Sequence, residues 1–401
     1  MAGSKLFRSW FMAGFECSTM QFWDGRRVDA IADVGHDRLA AEDYALVAEH
    51  GLLTARDGLR WPMIEQRRGE YDWSSWLPML QASRESGVQV IWDLLHFGLP
   101  DDVQDPWCDE LPDRFADFCE AAARLFREQS DAVPLWAPVN EISYWAFAGG
   151  SMGYFQPMGR DRGDEWKRQL VRCALRGMER LKAVDARARF VHTDPVVHVI
   201  PGPGGDEAAA DGERQLMFHA WDAIAGRRWE DLGGAPEWLD VLGVNFYSDN
   251  QWIRDAERPE WSLGRRSVGL AQPGYRPFHE LLLELWDRYG RPMIIAETGA
   301  EGANGPGWLR YVAGEVEIAR DAGAAIEGIC LYPVTDYCGW GDGRHCRCGL
   351  VTMEPGFGRR GVDPLMAAEL RRERRILELG AANRAAQHEV PSEDGVATVD
   401  A

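Results

Sequence analysis

Short apolar segments recur eight times along the chain, each followed by a turn-rich loop and then by a stretch with helical periodicity. The segments are Ser9–Glu16, Leu53–Trp61, Val88–His96, Leu135–Glu141, Arg189–Val196, Val241–Tyr247, Met293–Glu297 and Gly328–Val334. Between them lie the helical patterns Ala40–His50, Trp73–Ser86, Asp113–Glu128, Glu165–Val184, Gln215–Ile224, Phe278–Tyr289 and Trp308–Ala322, with a last one at Pro364–Leu379. Strict strand–helix alternation predicts a parallel sheet, because each strand must return to the same edge through a helix. Eight repeats predict closure into a (β/α)8 TIM barrel rather than an open sheet. The 401 residues are then one domain, residues 1–380, with long loops after strands four, five and six on the C-terminal face. Residues 381–401 lack any period and are expected to be a disordered tail.

Charge narrows the partners. Lys and Arg number 44 against 64 Asp and Glu, a net charge of −20, which argues against nucleic acid, whose binding rests on phosphate neutralisation. A neutral small molecule fits better. No apolar run reaches the roughly 18 residues of a membrane span, and the run Trp10–Phe15 stops at Glu16. A cytoplasmic chain with no membrane partner is expected, and a homo-oligomer is compatible with the sequence. The eight cysteines are scattered through a chain long enough to build its own core, so reduced thiols are expected. Cys338, His345, Cys346 and Cys348 are a zinc alternative, but Cys-x-Cys lacks the usual ligand spacing. No metal and no cofactor is expected.

In a barrel the informative positions are the C-terminal ends of the strands. Here they carry Glu16, Arg60, His96, Asn140, Glu141, Tyr247, Glu297 and Asp336. Glu141 and Glu297 are isolated carboxylates behind apolar strands, where desolvation is costly. Each could simply end its strand in a salt bridge, but two such groups suit glycosidic cleavage. One carboxyl protonates the leaving oxygen and the other attacks the anomeric carbon, at a separation of about 5–5.5 Å. Arg60 beside Glu297 would hold that group ionised, and Glu141 in a more apolar setting would keep its proton. The 18 tryptophans reinforce a sugar reading, since flat rings pack on the C–H faces of pyranoses. Among the aromatic residues that follow strands, Trp145 and Trp340 are the expected substrate contacts.

These motifs resemble those of clan A glycoside hydrolases, most closely family 1, the β-glucosidase and β-galactosidase group. Asn140-Glu141 resembles the family's Asn-Glu-Pro acid/base motif, and Ile295-Ala296-Glu297-Thr298-Gly299 its Thr-Glu-Asn-Gly nucleophile motif. Leu95–Pro100 is similar to His-Trp-Asp-Leu-Pro, Leu242–Tyr247 to Gly-Ile-Asn-Tyr-Tyr, and Tyr332–Trp340 to the strand-eight segment ending Asp-Asn-Phe-Glu-Trp. The resemblance implies a retaining β-glycoside hydrolase acting on a small glycoside or oligosaccharide, with Glu141 as acid/base and Glu297 as nucleophile. It implies that Asn140 meets the 2-hydroxyl, Tyr247 donates to Glu297, His96 reaches a sugar hydroxyl and Trp340 floors the subsite, while Glu16 keeps its place in the strand-one motif.

Two departures bear on specificity. The family's strand-one glutamine is Gly14 here, and the glutamate of Phe-Glu-Trp is Gly339. In the family those side chains grip the far end of the terminal sugar. Their loss predicts either refilling from the loop after strand six, by Trp252, Arg265 or Tyr275, or a pocket that opens into a cleft. Weak discrimination between glucoside, galactoside and fucoside is expected. The competing readings are another clan A activity (β-mannosidase, β-xylosidase or transglycosylase) and a non-catalytic carbohydrate-binding barrel.

Overall fold

Alternate residues of a strand face opposite sides of its sheet, and here both sides are apolar. A computed structural model describes residues 6–254, 266–354 and 358–388, with side chains through residue 380. Its strands are β1 (Phe11–Gly14), β2 (Thr54–Gly58), β3 (Gln89–Asp93), β4 (Leu135–Ala137), β5 (Arg189–Pro195), β6 (Val241–Asn245), β7 (Met293–Thr298) and β8 (Ile326–Leu331). They close into a parallel barrel, β1 pairing with both β8 and β2. Met12, Ile91, Leu135, Val191, Val241 and Ile294 fill the interior. Their strand neighbours Phe11, Trp92, Trp136, Phe190, Leu242 and Ile295 face the helices and join the larger core. The interior is tight enough that a β-carbon on Gly243 would lie 2.7 Å from Thr193 Cγ2.

The helices follow from their punctuation. Phe278–Tyr289 starts after Pro277, ends at Gly290 with φ +58°, and buries Phe278, Leu281, Leu282, Leu285 and Tyr289. That spacing is one face of a helix. The final helix, Pro364–His388, runs past residue 380, where the sequence predicts the start of a disordered tail. Ala381-Ala382-Asn383-Arg384-Ala385-Ala386 has high intrinsic helix propensity, which sustains a helix without an apolar stripe. The rest of that tail lies outside the described residues. The loops after β5 and β6 meet, His198–Pro201 pairing in parallel with Gln251–Arg254. Among the described residues no helix is long and apolar enough to cross a membrane.

Outside the barrel, β2 is tied to the first helices by buried charge. His36 lies 2.8 Å from Asp43 and 2.9 Å from Asp57, Tyr44 donates to Asp57 at 2.6 Å, and Arg360 donates to Asp43 at 2.6 Å. Burial opposes charge on His36, but Asp57 and Asp43 outweigh it and raise the imidazole to about 9. A histidine whose folded value lies above its ordinary 6.5 or so stabilises fully below that pH, and the contribution is lost as pH rises toward 9. The stability gap between wild type and His36→Gln should therefore narrow by on the order of 3 kcal/mol between pH 6 and pH 9.5. Denaturant titration at the two pH values checks this; a gap independent of pH would mean that His36 is neutral when buried.

Candidate active site

A charged residue inside a barrel strand must find opposite charge in its own layer, because an unpaired buried ion is prohibitively costly. Arg56, in the middle of β2 and fully buried, does so in two directions. Its Nε and Nη2 donate to Asp93 at 2.9 and 2.6 Å. Nη1 donates to Glu297 Oε1 at 2.5 Å, and Nη2 also reaches Asn140 Oδ1 at 2.6 Å. Burial works against the charge of Asp93, but Arg56 and His96 together hold its carboxyl below the usual range.

Strand alternation alone would turn Glu297 out of the barrel, since Ala296 faces inward. The β6–β7 register slips at this point: Val244 pairs with Ile295, but Asn245 pairs with Glu297. Such a bulge re-aims a side chain, and Glu297 is brought to Arg56 and to the Tyr247 hydroxyl, which donates to Oε2 at 2.9 Å. Glu141 is placed by a different device. It follows β4 in the left-handed region, φ +43°, a conformation that costs a non-glycine residue about 1–3 kcal/mol. Its N–H donates to Thr193 O at 2.9 Å. Two residues on, the N–H and hydroxyl of Ser143 donate to Asp194 at 2.9 and 2.6 Å, securing the short helix Ile142–Trp145 that starts there.

Asn245 Nδ2 donates to Glu141 Oε1 at 2.9 Å, so two residues at the end of β6, Asn245 and Tyr247, touch the two carboxylates. The environments differ. Glu297 has a guanidinium and a phenol; Glu141 has a neutral amide. Burial first, and then the negative charge of Glu297, push the Glu141 carboxyl well above the usual range.

Other expectations divide. Arg60 is not beside Glu297: β2 ends at Gly58, and Arg60, at the start of the short helix Trp61–Ile64, binds Asp29 at 2.8 Å and Asp37 at 3.4 Å. Arg56 takes the place expected of it. A charged pair within a strand, Arg56-Asp57, was the sequence signal that a buried ion pair must lie at that level. His96 does not offer a free nitrogen: Nδ1 faces Asp93 Oδ2 at 3.0 Å and Cys17 Sγ at 3.1 Å, and Nε2 accepts from Asn140 Nδ2 at 2.9 Å. Through Nε2 it orients Asn140. Trp145 is core, fully buried with Nε1 donating to Gln156 O at 2.6 Å. Trp340 is half-buried with its ring edge-on to Phe97 at 6.0 Å. Glu16 is buried and accepts from the N–H and hydroxyl of Ser18 at 3.0 and 2.5 Å.

The zinc alternative is not gathered around one point. The Cys346 thiol donates to Arg344 O, the Cys348 thiol to Cys346 O, and His345 faces Asp336. Among the described residues only Cys17, Asp93 and His96 bring three metal-type donors within 4.8 Å. Arg56 already neutralises that carboxylate, and burial, with Asp93 next, keeps the Cys17 thiol protonated.

Among the described residues, Tyr332 and Asp342 stand where side chains at Gly14 and Gly339 would go, and no residue of the loop after β6 does. A β-carbon on Gly14 would lie 2.1 Å from Tyr332 Cδ2, and one on Gly339 would lie 2.5 Å from Asp342 Oδ1. Trp252 is buried with Nε1 on Glu213, and the Tyr275 hydroxyl is bonded to that of Tyr311. Arg265 lies outside the described residues.

No family model matches the chain. Thermostable β-glucosidase B of Thermobispora bispora is 26% identical over 366 residues, covering 81% of this chain and 77% of that protein. A β-galactosidase of Sulfolobus acidocaldarius is 22% identical, covering 70% and 65%. A solved family 1 β-glucosidase from Thermotoga maritima shares the fold with TM-score 0.75 at 16% identity, over 90% of this chain and 96% of that one. In sequence the chain is similar to these glycosidases, and it shares the barrel fold of the Thermotoga maritima enzyme. Asn140 and Glu141 follow β4, and Glu297 lies near the end of β7.

Proposed function

We propose that the chain is a retaining β-glycoside hydrolase, with Glu297 as nucleophile and Glu141 as general acid and then general base. The observation that carries this reading is the contrast between the two carboxyls: one is held by Arg56 and Tyr247, the other is raised by burial and by the charge of the first. Such a pair divides the labour of double displacement. Glu297 attacks the anomeric carbon as Glu141 gives its proton to the departing oxygen. Glu141, now ionised, takes a proton from water, which attacks the same carbon and frees Glu297. Asn140 bonds the 2-hydroxyl, a role supported by its orientation by Arg56, Thr193 and His96. Two of the relatives named above are a β-glucosidase and a β-galactosidase, which supports β-glucosides and β-galactosides as first substrates.

The test is turnover of a panel of aryl β-glycosides, with the first-formed sugar anomer followed by proton NMR. Release of the β-anomer is expected. The α-anomer would make the enzyme inverting, and tight sugar binding without turnover would make the chain a carbohydrate-binding barrel.

A further inference from the structure

A buried hydroxyl without a hydrogen-bond partner carries an uncompensated desolvation cost, so most find one. The buried phenols elsewhere do: Tyr44 donates to Asp57 and Tyr289 to Asp222. Among the described residues Tyr332 is the only tyrosine whose buried hydroxyl has no partner. The residue follows β8 and is 2% exposed. Its ring is nearly parallel to that of His96, with centroids 6.5 Å apart and planes 15° apart, and Arg56 sits 5.0 Å from its centroid. Glu16 and Glu297 are among the charges that bear on it, and with burial they keep the phenol protonated. It is a protonated donor at the same end of the barrel as Glu16 and Glu297.

The placement depends on Gly14. A β-carbon there would overlap the ring at Cδ2 and approach Cys330 Sγ at 3.0 Å, so the missing side chain is what lets the phenol in. Two more buried polar atoms at this end lack partners, Asn245 Oδ1 and Trp340 Nε1. Unpartnered indole N–H groups also occur in the helix-packed core, at Trp76, Trp136 and Trp166, so Trp340 by itself would mean little. An orphan phenol donor beside Arg56, which holds Glu297, and an orphan acceptor on the amide that bonds Glu141 are a different matter. Together they match a hydroxyl-bearing ligand, each hydroxyl being both donor and acceptor.

Building on the glycosidase reading, we propose that the Tyr332 hydroxyl is a specificity-determining donor to a ring hydroxyl of the bound sugar, one other than the 2-hydroxyl met by Asn140. It occupies the space vacated at Gly14 and supplies recognition there, so the enzyme discriminates at that hydroxyl instead of ignoring it.

The test is Tyr332→Phe, assayed with an aryl β-glycoside that wild type hydrolyses and with its 3-, 4- and 6-deoxy analogues. Because the hydroxyl has no partner in the free protein, the variant should melt no lower than wild type. Its kcat/KM on the parent glycoside should fall about 10- to 100-fold, the loss of one buried hydrogen bond. One deoxy analogue should be poor for wild type and suffer no further loss in the variant; the others should lose the same factor as the parent. An equal loss on every analogue, no loss on any, or a lowered melting temperature with unchanged selectivity would overturn the assignment and leave Tyr332 as packing for Arg56. Those outcomes presuppose an active wild type. Wild type inert on every glycoside would instead defeat the glycosidase reading, and this assignment with it.

Discussion

Glu297→Ala should fold, keep its affinity for sugar and lose roughly 10⁴- to 10⁶-fold in kcat, the scale seen when a covalent nucleophile is removed. Removing the carboxylate leaves Arg56 with Asp93 still bound at two points, so the guanidinium is not stranded and the loss is chemical. The deciding measurement is rescue by azide. A small anion entering the space of the missing carboxylate attacks the anomeric carbon from that face, and with no second displacement the product is an α-glycosyl azide. Recovery of a β-glycosyl azide, or a variant retaining more than a few per cent of wild-type kcat, would take the nucleophile's role away from Glu297.

Glu141→Gln should behave differently, because a general acid matters in proportion to how badly the leaving group needs a proton. Loss of about 10²- to 10⁴-fold is expected for alkyl and unactivated aryl glycosides, the usual worth of positioned acid catalysis. Glycosides of strongly acidic phenols should lose far less in the first step. The pH profile supplies the second readout. Burial and the neighbouring Glu297 raise the Glu141 carboxyl, and its protonated form is the acid of the proposed mechanism, so wild-type kcat/KM should fall as pH rises through that raised value. Glutamine cannot titrate; the basic limb should vanish in the variant. Equal losses for all leaving groups, with the basic limb intact, would assign the acid to another residue. Azide with Glu141→Ala should give the β-glycosyl azide, opposite to the product from Glu297→Ala.

Much of this protein can be read from residue order alone. The alternation of apolar strand and helix repeats is local information: it predicts a parallel sheet with both faces buried, and the count of eight favours closure into a barrel over an open sheet. Glu141 and Glu297 are visible for the same reason: a lone charge after an apolar strand stands at the edge of the buried layer. What residue order does not carry is the direction in which a side chain points after a turn or a bulge. Arg60 stands nearer the end of its segment than Arg56 does, yet β2 stops at Gly58 and the chain turns into a helix, so Arg60 goes to Asp29 and Asp37 while Arg56 meets Glu297. Glu297 faces inward only because the pairing of β6 with β7 slips by one residue. Trp145 is core and Trp340 half-buried, although both follow strands and look alike in the sequence. The substitution at Gly14 reads as a lost contact until the fold shows Tyr332, more than 300 positions away in the chain, lying in the same space. Period and polarity are properties of neighbours in sequence and set which layers exist. Pairing register, turn geometry and who fills a vacancy depend on contacts between distant strands, and those exist only once the barrel has closed.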